Sequence, residues 1–140
     1  GSPKAYLGTM VTGFPNLFIL QGPNTGLGHS SVIFMMEAQI MHMQKVIKHM
    51  RTKYYDVIQP THQAQQRFVE ETSKAMQQTV WSLGGCESWY IDQTGRNSTI
   101  WPSFTFTYRQ LASKFKAEDY EGHLAGIPSM NPTPLLHPAK

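Results

Sequence analysis

The stretch from Asn16 to Gln39, NLFILQGPNTGLGHSSVIFMMEAQ, constrains the fold more than any other part of the chain. A short apolar run, Leu17-Phe18-Ile19-Leu20, reads as a strand and ends abruptly at Gly22-Pro23-Asn24. A loop holding Gly22, Gly26 and Gly28 comes next, and a long apolar-striped helix opens at about His29 or Ser30. A buried strand that feeds a small-residue loop and a helix N-terminus is how α/β proteins present backbone N–H groups to a ligand. The loop matches neither familiar phosphate-binding pattern. No Lys-Ser or Lys-Thr comes after it, and GxGxxG is absent.

The helix after the loop is set by spacing. Val32, Met36, Ile40, Met43, Ile47 and Met50 recur at steps of four and three and mark one apolar face. Ser30 or Ser31 is placed to cap its start, and Lys48 and Arg51 suit the negative end of its dipole. The methionines admit an adaptable peptide-binding groove, but the spacing reads as an ordinary buried face. A second helix is expected from Pro60-Thr61 to Gly84-Gly85, with Ala64, Phe68, Thr72, Met76, Val80 and Leu83 along one side. The neighbours Glu70 and Glu71 diverge on a helix and read as solvated rather than as an acid/base pair.

Residues 86–108, CESWYIDQTGRNSTIWPSFTFTY, are the second informative stretch. Gly95 with Arg96-Asn97 marks a turn. Phe104, Phe106 and Tyr108 alternate with Ser103, Thr105 and Thr107 as in a half-buried strand. Trp89, Tyr90 and Trp101 flank the turn, either against a planar ligand or packed beneath a loop.

Several functions are disfavoured by composition. The 12 Lys and Arg against 9 Asp and Glu are scattered, so no basic stripe suggests nucleic acid. No run reaches membrane-spanning length, and the start lacks a charged-then-apolar leader. The lone Cys86 rules out an intrachain disulfide framework and points to a reducing, cytoplasmic setting with an inert thiol. His42 and His49 lie two helical turns apart without a third ligand, so they read as surface or interface histidines and no metal is expected. Asn97-Ser98-Thr99 fits a glycosylation acceptor, a short pattern that carries little weight here. Pro128, Pro132, Pro134 and Pro138 suggest a flexible tail over 126–140.

Two elements carry a family resemblance. YLGTMVTGFPNLFILQGPNTGLGHSSVIFMMEAQ resembles the closing segment of the FAD domain in class B flavoprotein monooxygenases. GCESWYIDQTGRNSTIWPSFTFTY resembles the segment C-terminal to that one in their Baeyer–Villiger branch, and the match runs from about Pro3 to Glu121. The resemblance implies an α/β fragment. Residues 1–53 would be the C-terminal end of an FAD-binding domain, contributing its terminal strand and helix. Residues 54–125 would be a mainly helical C-terminal region with a short β element and a cofactor-covering loop, and the tail would complete the chain. In that family FAD and NADPH serve to insert one oxygen atom of O2 into a small organic carbonyl compound, or to transfer it to nitrogen or sulfur.

The same resemblance assigns cofactor contacts to Gly22, Pro23 and Asn24, to Ser31 and Val32 at the helix start, and to Trp89 on a loop that folds over NADPH. It assigns no catalytic side chain. Because no GxGxxG is present, the isolated chain is expected neither to hold FAD tightly nor to turn over, and an unpaired strand could drive self-association. The competing expectation is a self-standing helical interaction module with an exposed Met and aromatic surface.

Overall fold

The computed structural model describes residues 1–27, 31–79 and 91–125. The elements run α1 (Val32–Thr52), β1 (Val57–Pro60), α2 (His62–Met76), α3 (Thr105–Ser113), a short 3-10 turn (Ala117–Asp119) and β2 (Tyr120–His123). β1 and β2 form an antiparallel pair, with Val57 opposite His123 and Pro60 opposite Tyr120. The chain is therefore a small α/β piece. Val80, Leu83, Cys86, Trp89, Tyr90 and the 126–140 segment lie outside the described residues.

α1 forms at the expected place, but its buried face is different. Met35, Ala38, Gln39, His42 and Val46 are buried. The Ile and Met stripe lies to one side, with Ile40 43% and Ile47 40% exposed. Apolar spacing points to the wrong face because two core positions are polar, their burial offset by hydrogen bonds. Gln39 Nε2 donates to the Gly8 carbonyl (3.1 Å), and its Oε1 accepts from the Gln21 N–H (3.1 Å).

His42, expected at the surface or an interface, is buried inside the chain's own core. Its Nδ1 lies 2.7 Å from the Ala112 carbonyl, and its Nε2 lies 2.5 Å from the Tyr120 hydroxyl. A carbonyl only accepts, so Nδ1 carries the proton and Nε2 accepts from Tyr120. These two bonds tie α1 to the end of α3 and to β2.

α2 begins as expected, with the Thr61 side chain accepting the Ala64 N–H. Ala64, Phe68, Thr72 and Met76 are buried, joined by Val69, while Glu70 and Glu71 are exposed. The helix stops at Met76 rather than near Gly84. Gln78 and Thr79 turn their N–H groups to Ala75 and Met76, and the Thr79 hydroxyl donates to the Met76 carbonyl at 2.7 Å. That i to i−3 tightening closes the helix.

Two strand expectations fail. Leu17–Leu20 is not a strand: Ile19 N–H bonds the Thr9 carbonyl (2.8 Å), but no ladder flanks the run. A strand needs a continuous partner, and the described residues supply none there. Residues 104–108 are not a strand either, because they open α3. The N–H groups of Thr107 and Tyr108 both turn back to the Phe104 carbonyl. Tyr108 and Ala112, four apart, are buried, while Phe104 and Phe106 are 63% and 62% exposed. The helical period outweighs the two-residue alternation.

The core joins Tyr6, Leu7, Met10, Met35, Ile58, Phe68, Trp101 and Tyr108. Trp101 packs edge-on to Tyr108 (5.2 Å between ring centres) and stacks on Phe68, and its indole N–H donates to the Phe104 carbonyl. It is a core residue, as packing beneath a loop implies. Beside it, the Tyr6 hydroxyl donates to Asp119 (2.6 Å), which also pairs with Arg67.

Candidate functional site

The glycine loop and the start of α1 meet at an open cleft of about 470 Å³. Gln21, Gly22, Pro23, Gly26 and Leu27 line one side, with Val32, Pro3 and the Ser98–Ile100 segment around them. The volume lies within the usual range for small-molecule sites, roughly 300–1,000 Å³. Among the described residues, none that lines the cleft carries an ionisable side chain.

The loop gets its shape from close backbone packing. A Cβ on Gly22 would collide with the Gly8 carbonyl, and one on Gly26 would lie 2.8 Å from the Thr99 carbonyl. Only glycine admits both approaches. The Thr25 hydroxyl closes the turn on the Gly22 carbonyl at 2.7 Å. The loop is then joined to the 98–101 segment. Gly26 N–H donates to Thr99 (2.9 Å), Trp101 N–H returns to Gly26 (2.8 Å), and Asn24 N–H donates to Ser98 (2.8 Å).

The Asn24 side chain faces into the protein rather than into the cleft. Its Nδ2 donates to the Asn97 and Ile100 carbonyls at 2.9 and 3.0 Å, and its Oδ1 accepts from Arg96 Nη2 at 2.7 Å. Its backbone is left-handed, with φ +59°, a conformation that asparagine tolerates. Arg96 reaches further, donating to the Ser73 hydroxyl, the Ser2 hydroxyl and the Pro3 carbonyl. Burial lowers the guanidinium from its usual range, and the charge of Asp92 opposes that shift. Asp92 itself braces the turn through Oδ1, which accepts from the Thr94 and Arg96 N–H groups.

The start of α1 borders the cleft through Val32. Ser31 occupies the N-cap position without making a side-chain cap, and the first turn contains no acidic residue. This end of the helix therefore presents its positive pole with no carboxylate in its own first turn.

Of the residues expected at the site, Gly22, Pro23 and Val32 share the cleft lining. Asn24 supports the loop from below, Ser31 is an exposed cap position, and Trp89 lies outside the described residues. Arg96 and Asn97 read in the sequence only as turn residues, yet they anchor the loop. Their bonding depends on residues more than seventy positions away, which local pattern does not reveal. Among the described residues no His, Cys, Asp and Glu group is placed to hold a metal ion, and no helix is long and apolar enough to cross a membrane.

No protein-family profile matches the chain. It is 43% identical over 127 residues to a Baeyer–Villiger monooxygenase of Pseudomonas aeruginosa, covering 90% of this chain. The chain is homologous to part of the Baeyer–Villiger monooxygenases. A Baeyer–Villiger monooxygenase of Streptomyces coelicolor is 34% identical over 122 residues, or 86% of this chain. The chain spans 24% of the length of each of these Baeyer–Villiger relatives. Among solved structures, cyclohexanone monooxygenase from Rhodococcus sp. Phi1 bound to NADP+ superposes with a TM-score of 0.72 at 21% identity, covering 89% of this chain and 24% of that one. An oxidised steroid monooxygenase bound to NADP superposes with a TM-score of 0.66 at 23% identity, covering 87% of this chain and 23% of that one. These two likenesses establish the fold.

Proposed function

We propose that this chain is the C-terminal part of an FAD- and NADPH-dependent monooxygenase that inserts one oxygen atom of O2 into a ketone, and that it forms one wall of the flavin site. The 43% identity to a Baeyer–Villiger monooxygenase carries this reading. The cleft supports it physically. Gly22 and Pro23 bring backbone to the cleft without side-chain bulk, and Val32 puts the α1 N-terminus at its edge. When bound, the flavin supplies the redox chemistry that activates oxygen.

The protein's contribution here is binding and electrostatics. The Ser31 and Val32 N–H groups, at the positive end of α1, would stabilise negative charge on a reduced flavin ring. Among the described residues, the cleft lining holds no ionisable side chain to oppose that charge. Trp89, through its indole N–H, would help a loop close over the nicotinamide cofactor and exclude water.

The test uses the full-length protein that carries this chain, supplied with FAD, NADPH, labelled O2 and a panel of ketones, amines and sulfides. Ketone-dependent NADPH oxidation with one labelled oxygen in an ester or lactone is the expected result. Label appearing only on nitrogen or sulfur would replace ketone oxidation with heteroatom oxygenation. NADPH oxidation that no substrate stimulates would refute the enzyme reading.

A further inference from the structure

We propose that Arg96 is the positioning residue of the cleft, holding its walls in register from beneath. This rests on the reading of the cleft as a flavin wall. Arg96 does not itself line the cleft. Instead it binds the backbone and supports of the lining segments: the Pro3 carbonyl at 2.9 Å and, through Asn24 Oδ1 at 2.7 Å, the glycine loop. Asn24 in turn holds the third segment through the Asn97 and Ile100 carbonyls. A single guanidinium thus joins Pro3, the Gly22–Leu27 loop and the Ser98–Ile100 segment, and the Ser73 hydroxyl on α2 fixes its Nε at 3.1 Å.

The acceptors suit a fork and not a point charge. They lie around the planar group and are all neutral: two hydroxyls, a backbone carbonyl and a side-chain amide oxygen. None of these bonds is a salt bridge that a lysine could replace, and a lysine ammonium cannot span these directions at once. Arg96 is the donor to Asn24 Oδ1, so removing it leaves a buried acceptor unpaired beneath the loop.

The experiment compares wild type, Arg96→Lys and Arg96→Ala in the full-length protein. It measures FAD dissociation, the visible band shape of bound flavin, and amide exchange at Gly26, Trp101 and Ile58. The expected result is FAD binding weakened on the order of tenfold, the factor carried by one charge-assisted hydrogen bond. The flavin band should change, Gly26 and Trp101 should exchange faster, and Ile58 should stay unchanged. Arg96→Lys should show the same pattern to a lesser degree, and it decides the matter if Arg96→Ala does not fold. Unchanged FAD affinity and band shape in both variants would overturn the inference. If wild-type protein binds no FAD, the function reading fails on its own. Arg96 is then judged by exchange alone: faster exchange confined to Gly26 and Trp101 upholds its role, and unchanged exchange overturns it.

Discussion

Mild acid should destabilise this fold through His42. The ring is buried and neutral, with Nδ1–H on the Ala112 carbonyl and Nε2 accepting from Tyr120. Burial is the main force lowering its pKa from the ordinary 6.5; the Lys45 ammonium adds to that, while the Ala112 carbonyl and Asp119 oppose it. Tyr6 and Phe115 complete its surroundings with ring contacts. The folded ring holds its proton less tightly than the unfolded one. Between the folded pKa and 6.5, the unfolded chain therefore binds more protons. Stability contributed by the neutral ring is fully present above about pH 6.5 and is lost as the pH falls below it.

One proton sets the slope of that loss, at most about 1.4 kcal/mol per pH unit. His42→Gln removes the titration. Its amide cannot reproduce the ring geometry that reaches both the Ala112 carbonyl and the Tyr120 hydroxyl, and each group left unpaired should cost about 1–3 kcal/mol at pH well above the transition. Urea unfolding from about pH 8 to 5 should then give a wild-type curve that falls below pH 6.5 by one proton more than the variant's. Parallel curves would refute the argument. So would an imidazole titration in the folded chain at or above pH 6.5.

The geometry predicts three further outcomes. Gly22→Ala forces the loop away from the Gly8 carbonyl and should cost about 1–3 kcal/mol by thermal unfolding, with neutral behaviour showing that the contact can relax. Ile40→Lys with Ile47→Lys should leave stability within about 0.5 kcal/mol per site and reduce self-association of the isolated chain, measured by sedimentation. A loss of about 2–5 kcal/mol would instead place these side chains in a closed core. Trp89→Ala in the full-length protein should raise wasteful NADPH oxidation relative to product, and unchanged coupling would argue against a role in covering the cofactor.

Helix positions are legible in the sequence because caps and spacing are local. Thr61 fixes the start of α2, and Ala64, Phe68, Thr72 and Met76 face inward as their spacing implies. The features that local pattern misses depend on distant partners. The buried face of α1 is one, because Gln39 and His42 are held inside by bonds to Gly8, Ala112 and Tyr120. Leu17–Leu20 reads as a strand from composition, but no strand lies beside it among the described residues. The cleft is half legible. Its glycines stand out in the sequence, whereas Arg96 gains its role only when the turn at Gly95 folds back onto Asn24.

The exposed Ile40 and Ile47, and the lack of a ladder beside Leu17–Leu20 among the described residues, belong together with the 24% coverage of the relatives. They fit the proposal that this chain forms one wall of a larger site. The most direct measurement is bound flavin per polypeptide, made side by side on the full-length protein that carries this chain and on the 140-residue chain. The account predicts stoichiometric FAD on the first and none on the second. Stoichiometric flavin copurifying with the short chain, or none on the long one, would contradict it.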